Sequence, residues 1–477
     1  MINSAPNFYQ QISKSFPFEP TENQEESLKN LSQFIFEDGK KNLYILKGYA
    51  GTGKTTLISV LVNNLWRAGK KAVLLAPTGR AAKVITSYSK KKAFTIHKKI
   101  YFPKKEKGGA VKFVKQVNKH TDTLFIVDEA SMISDTSTNT QLFDNGSLLD
   151  DLVSYVYSGR NCKILFVGDT AQLPPVKMEL SPALETDSLG FGYDMEVLNN
   201  ELTQVTRQSS NSGILVNATE IRGLLNDSEN LIFEDFKFDL NFKDIIRLED
   251  GYDIENALVD AYGDHGVEET AFIVRSNKRA NQYNQQIRLK IRGQEDEIST
   301  GDYLMVVKNN YFWLDNKSEA GFIANGDTVE VMAIRGIKEL YGFRFAEVTL
   351  RMVDYQTQKP FDTVVLLDTV TAESPSLTYE DSNRLYQEVA KDYVHEKAKY
   401  KQYLAIKNNK YFNALQVKFA YSMTCHKSQG GQWDTVFIEK PYLPDGQSVP
   451  YLRWLYTAIT RAKNKLYLIG FKDEDFH

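Results

Sequence analysis

Gly48-Tyr49-Ala50-Gly51-Thr52-Gly53-Lys54-Thr55 is the stretch on which the fold turns. It spells G-x-x-x-x-G-K-[ST]. It follows the apolar run Leu43-Tyr44-Ile45-Leu46 and precedes a helical pattern from Thr55 to Ala68, with Gly69 as its stop. In such a strand–loop–helix, glycines let backbone N–H groups curl around phosphate oxygens, and the helix N-terminus adds positive potential. Gly48, Tyr49, Ala50, Gly51, Thr52, Gly53, Lys54, Thr55 and Thr56 are therefore the candidate phosphate cradle. Lys54 is placed to reach the β- and γ-phosphates and Thr55 to ligate Mg2+.

Working outward, Ala72–Ala76, Thr123–Val127 and Lys163–Val167 are further apolar runs, each ended by a polar or turn residue. Unbroken apolar runs suit strands covered on both faces, and their alternation with helical stretches predicts a parallel sheet with ligands at the strand carboxyl ends. The polar signals stand at those ends. Asp128 is suited to hold Mg2+ and Glu129 to orient the attacking water. Gln172, in Gly168-Asp169-Thr170-Ala171-Gln172-Leu173-Pro174-Pro175-Val176, puts an amide where a γ-phosphate would lie. Phosphoryl transfer also needs cations on the developing charge. Arg207 in Leu202–Arg207 and Arg461 in Tyr456–Arg461 are the candidates.

The 477 residues are too many for one core, and about 150 per domain suggests three units. A composition with 42% hydrophobic and 25% charged residues is that of a globular chain. The two cysteines, Cys162 and Cys425, make no disulfide framework and suit a reducing compartment. With neither a secretory leader nor an apolar run of about 18 residues, the expectation is a cytoplasmic protein without a membrane span. The net charge of -3 hides a strong asymmetry: Lys83 to Lys119 holds twelve lysines against Glu106 alone, and Gly223 to Thr270 holds fourteen acidic residues against three basic ones. The acidic stretch reads first as a solvated face that repels nucleic acid, and alternatively as a partner surface. In the lysine-rich stretch, Lys107-Gly108-Gly109 between Ile100–Phe102 and Val111–Val114 signals a small hairpin, with a plain loop as the alternative.

A second parallel-sheet unit is expected from Leu202, split between Thr270–Arg292 and Val417–Phe471. Short strands over 300–370 with a turn at Asn325-Gly326-Asp327 predict a small β-barrel between the halves. A helix opened by Leu377-Thr378, with Asp381 three residues beyond the cap, follows it.

Taken in order, these motifs resemble those of the superfamily-1 helicases of the RecD and Dda type. The motifs are the P-loop, Ala76-Pro77-Thr78-Gly79-Arg80-Ala81-Ala82, Thr95-Ile96-His97, Asp128-Glu129-Ala130-Ser131, Gly168–Val176, Thr424-Cys425-His426-Lys427-Ser428-Gln429-Gly430 and Tyr456–Arg461. They span Gln24 to Arg461. The resemblance implies an α/β fold of two RecA-like domains, 1–98 with 120–201 and 202–296 with 414–477. It further implies a strand-separating hairpin at 99–119, and an SH3-like barrel with a helical extension at 297–413. It implies ATP and Mg2+ in the cleft, with Gln24 reading adenine, Arg207 and Arg461 as arginine fingers, and Gln429 and Gly430 as a coupling element. DNA contacts carry over to Pro77, Thr78, Thr95, His97, Asn277, Lys278, Thr424, His426 and Lys427.

The implied activity is ATP-driven 5′-to-3′ movement on single-stranded DNA with separation of forked duplex, by a chain acting as a monomer, with protein partners left open. Two rivals stand beside it: a translocase that strips proteins but unwinds weakly, and a nucleotide-dependent switch without motor activity. The hairpin is short for this family. Phe102 and Phe113 are open between wedge and hairpin core. His426 beside Cys425 makes no zinc site, because two adjacent residues cannot supply a tetrahedral ligand set.

Overall fold

The computed structural model describes residues 2–37, 41–105, 111–135, 147–205, 211–226, 235–314, 318, 320–355, 357–396 and 398–477. Its strands, in chain order, begin with β1 (Asn42–Gly48), β2 (Lys71–Ala76), β3 (Ala93–Thr95), β4 (Tyr101–Lys105), β5 (Val111–Lys115) and β6 (Thr121–Val127). They continue with β7 (Arg160–Gly168), β8 (Glu196–Leu202), β9 (Ile245–Leu248), β10 (Thr270–Val274), β11 (Tyr303–Val306) and β12 (Thr328–Leu340). The last are β13 (Phe343–Met352), β14 (Phe361–Leu366), β15 (Leu415–Phe419), β16 (Ser422–Thr424), β17 (Trp433–Glu439) and β18 (Ala462–Ile469).

The first lobe is a parallel sheet in the order β3-β2-β6-β7-β1-β8. Its apolar runs are buried on both faces, as the sequence required. Tyr44, Leu46, Ile126 and Leu165 pack on one side, and Leu43, Ile45, Phe125 and Phe166 on the other. That alternation at period two is what fixes the register of each strand. Because β7 lies between β1 and β6, the loop after Gly168 is carried to a point between the P-loop and Asp128. The helix Lys54–Asn64 runs on into a short turn ended by Gly69, whose φ of 69° favours glycine.

The second lobe is a parallel sheet in the order β16-β10-β17-β18-β9. Between its halves stands a closed barrel, β11-β12-β13-β14-β15. The expected boundary at 414 is corrected here: Leu415–Phe419 pairs with both β11 and β14, closing the barrel, and the second sheet resumes only at Ser422. The run Leu415–Phe419 is apolar enough for either sheet, and barrel closure decides it, because a barrel without β15 would leave two open edges. The helix Tyr379–Lys391 is capped by Thr378 accepting from the Asp381 N–H, as its sequence indicated. β4 and β5 pair antiparallel from Tyr101↔Lys115 to Lys105↔Val111, while the Lys107-Gly108-Gly109 turn lies outside the described residues.

Candidate active site and nucleic-acid interface

The P-loop lies where β1 meets the second lobe. Lys54 Nζ donates to the Gly48 and Tyr49 carbonyls, the latter at 2.7 Å, and stands 4.0 Å from Asp169. In this arrangement the loop's own carbonyls hold the ammonium that phosphate oxygens would take. Gln24 is committed at both ends: its Oε1 accepts from Thr21 N at 3.0 Å, and its Nε2 donates to Thr52 O at 2.8 Å. It braces the loop, and reading adenine would require it to release one of these bonds.

Asp128 and Glu129 follow β6 into the cleft. Asp128 Oδ2 accepts from the Tyr88 hydroxyl at 2.8 Å and its Oδ1 from Glu129 N at 2.9 Å. Enclosure by protein raises both carboxyl pKa values; the Arg461 charge opposes this most at Glu129, and the Tyr88 hydrogen bond most at Asp128. Glu129 has a φ of 55°, a left-handed conformation unusual for a side chain of its size. The Thr55 hydroxyl and Asp128 carboxylate supply the hard oxygen donors that Mg2+ prefers, so this pair fits the ion the motif implies.

Gln172 is buried, and among the described residues its Oε1 has no hydrogen-bond partner. A buried amide oxygen left unpaired is costly. An acceptor held there suits a water poised beside the γ-phosphate. Arg461, with 2% of its surface exposed, donates Nε to Thr457 O at 2.9 Å and Nη1 to Gly431 O at 3.2 Å. The Arg461 charge acts on Glu129, holding that carboxyl's pKa below where burial alone would put it. Arg207 lies outside the described residues.

Cross-lobe bonds close the cleft. Tyr456 reaches Ala50 and Asp169, Leu173 N donates to Thr457 Oγ1 at 2.8 Å, and Gln429 Nε2 donates to Leu173 O at 2.7 Å. Tyr456, Thr457 and Asp169 were within motif stretches of the sequence but carried no assigned role. Their signal is position alone, a hydroxyl or carboxylate one helical turn from Arg461 or at the end of β7.

At the carboxyl ends of its strands, each lobe also offers a helix N-terminus. Pro77 and Thr78 lead into Gly79–Ser89, with Thr78 capping Ala81 N; Asn277 opens Asn277–Gln286 and Lys278 follows it, exposed. Thr95 caps Lys98 N beside His97, whose pKa is lowered to about 4 by burial, so the imidazole is neutral at physiological pH. Asn277, Thr424 and Lys427 line one small recess, and burial lowers the Lys427 pKa to about 8. His426 lines a separate cavity of about 610 Å³ with Arg275, Arg453 and Trp454. The nucleic-acid candidates therefore fall into two groups, one per lobe, joined through Gly430. A Cβ there would lie 2.9 Å from Ala81 Cβ and 3.1 Å from Thr78 Oγ1, and its φ of 72° also favours glycine. Among the described residues no group of three or more His, Cys, Asp or Glu is placed to hold a metal, and no helix is long and apolar enough to cross a membrane.

A P-loop, a strand-end acidic pair, an orphaned glutamine and an arginine from a second parallel-sheet lobe define an ATP hydrolase with its cleft between the lobes. The family model described as an AAA domain matches residues 29–222, and that of the UvrD-like helicase C-terminal domain matches 419–469. An uncharacterised protein of Acanthamoeba polyphaga mimivirus is 24% identical over 93% of this chain and 98% of its own length. The ATP-dependent DNA helicase dda of Enterobacteria phage T4 is 23% identical over 94% and 99%. The ATP-dependent RecD2 DNA helicase of Deinococcus radiodurans is 30% identical over 36% of this chain and 21% of its own. A Bacteroides Pif1 helicase crystallised with ADP-AlF3 and ssDNA aligns over 96% of this chain and 94% of its own, at 16% identity and a TM-score of 0.44. Along nearly its whole length the chain is similar to the superfamily-1 helicases of the RecD/Dda type.

Proposed function

We propose that the chain is a motor that moves 5′-to-3′ on single-stranded DNA and separates forked duplex, driven by Mg-ATP hydrolysis in the cleft. The observation that carries this reading is the placement of Gln429 and Gly430. Gln429 bonds Leu173 O, the residue after the orphaned Gln172, while Gly430 packs on Thr78 at the first lobe's helix N-terminus. A nucleotide-dependent switch has no use for such a link between cleft and groove.

In this mechanism Lys54 leaves the Gly48 and Tyr49 carbonyls for the β- and γ-phosphates. Gln172 Oε1 and Glu129 orient a water whose oxygen attacks the γ-phosphorus. The bond to the β–γ bridging oxygen breaks, ADP leaves, and Glu129 takes the water's proton. Lys54 and Arg461, with Arg207 as a second finger, offset the charge on the transferring group. Mg2+, held by Thr55 and Asp128, supplies further charge neutralisation when bound. The groove residues Pro77, Thr78, Thr95, His97, Asn277, Lys278, Thr424, His426 and Lys427 grip the backbone. Such a grip reads little sequence and weakens with salt. β4–β5 acts as the separating pin.

ATP turnover with and without oligothymidylate tests the motor. Unwinding of a fork tailed on either strand then tests polarity. A turnover indifferent to DNA refutes the motor, and stimulated turnover without unwinding favours the protein-stripping translocase.

A further inference from the structure

Arg80 lies in neither the cleft nor the set of groove contacts, yet it spans the lobes. Its guanidinium carbon is 3.9 Å from the centre of the Trp433 ring, and its Nη2 donates to Glu268 O at 3.3 Å. Trp433 is buried in the second lobe, and its backbone N–H donates to Arg461 O at 3.0 Å. Gly431 sits between them. A Cβ there would fall 2.5 Å from the indole and 2.9 Å from Arg80 Nε, so only glycine permits the stack. The Gly431 carbonyl accepts from Arg461 Nη1. Two residues before Arg80, Thr78 begins the helix that faces the groove. One continuous set of contacts therefore runs from Thr78 through Arg80, Trp433 and Gly431 to the guanidinium of Arg461.

We propose that Arg80, stacked on Trp433, is a positioning residue that couples occupancy of the DNA groove to the seating of Arg461 in the cleft. This rests on the motor reading. A strand settling on the N-terminus of Gly79–Ser89 displaces Arg80 with its helix. The planar stack is directional, so Trp433 follows, and Arg461 moves with it through both its carbonyl and its guanidinium. A point charge does not serve, because lysine lacks the flat face. The carboxylates of Asp354, Glu269 and Glu268, which lie in the field of Arg80, would satisfy a lysine equally well.

The test titrates oligothymidylate against ATP turnover in the full chain for wild type, W433F, W433L, R80K and R80Q. DNA-free turnover and the half-saturating oligothymidylate concentration should stay within about twofold of wild type throughout. Turnover at saturating DNA should fall about tenfold in W433L, R80K and R80Q and stay within about threefold in W433F. The R80Q/W433L double variant should lose no more than either single one. Full stimulation in both R80Q and R80K overturns the inference, as does a matching fall in DNA-free turnover, which marks a merely structural role. Should W433L fail to fold, R80K and R80Q decide the matter. A wild type insensitive to DNA sinks the motor reading as well, whereas a stimulated wild type with equally stimulated variants sinks only this coupling.

Discussion

The hydroxyl of Tyr456 donates to Asp169 Oδ2 at 2.7 Å while accepting the Ala50 N–H at 2.8 Å, so one second-lobe side chain ties the P-loop to the end of β7. Tyr456→Phe removes both bonds and leaves a buried carboxylate oxygen without that partner. The nucleotide-free chain should lose about 1–3 kcal/mol, read as a lower melting midpoint. An unchanged midpoint would show that the two bonds contribute nothing net.

Lys54→Ala should lower kcat by at least about 10²-fold, with circular dichroism and melting close to wild type. The helix that follows the loop depends on the packing of Leu57, Ile58 and Leu61, which the substitution leaves in place. Collapse of the fold would assign Lys54 a structural part instead.

Glu129→Gln should trap ATP and hold single-stranded DNA in the closed form. Enclosure raises the Glu129 pKa, and the ionised form is the one that takes a proton from water. Wild-type turnover should therefore fall as pH drops through that raised value. In the glutamine variant the residual rate should lack this acid limb. A variant with normal turnover would remove Glu129 from the mechanism.

Asp327, in the barrel, has its pKa pushed up from 3.8 to about 8, chiefly by burial; its Oδ2 accepts from Ala324 N, and its Oδ1 has no hydrogen-bond partner among the described residues. Between these two values the folded chain keeps a proton that the unfolded chain releases. Stability contributed by this group is thus fully present at low pH and declines as pH rises towards 8, by at most about 1.4 kcal/mol per unit. Asp327→Asn should flatten that slope in denaturant melts taken from pH 5 to pH 8.

Phe102, at the base of the β4–β5 ribbon, is 42% exposed and so is not hairpin core; the side chain of Phe113 lies outside the described residues. Phe102→Ala should slow fork unwinding by about the 10-fold that one aromatic stack on a base accounts for, while DNA-stimulated turnover changes little. Equal loss of both would make the ribbon a grip.

The candidate cleft residues stood out because phosphate chemistry restricts such a site to few residue types at fixed spacing, and the topology carries Lys54, Asp128, Glu129 and Gln172 to adjoining strand ends. What was hidden depended on partners far apart in sequence. Nothing local announces that Gln24 spends its amide on Thr21 and Thr52, or that Tyr456 meets Ala50. Barrel closure by Leu415–Phe419 was missed for the same reason, since an apolar five-residue run carries no mark of which sheet it joins. The stack of Arg80 on Trp433 was equally invisible, because each residue alone reads as an ordinary surface cation and an ordinary core aromatic.

The path of the chain out of the barrel has a mechanical outcome. Only Ala420 and Tyr421 separate the end of β15 from β16, and the Tyr421 hydroxyl is itself anchored to Asp302 at the barrel's entrance. With so short a leash and its far end tied down, a push on the barrel from an oncoming obstacle reaches Thr424 without slack. On the motor reading proposed above, in which Thr424 belongs to the strand grip, a roadblock pressing on the barrel would be felt there before any loop had time to absorb it.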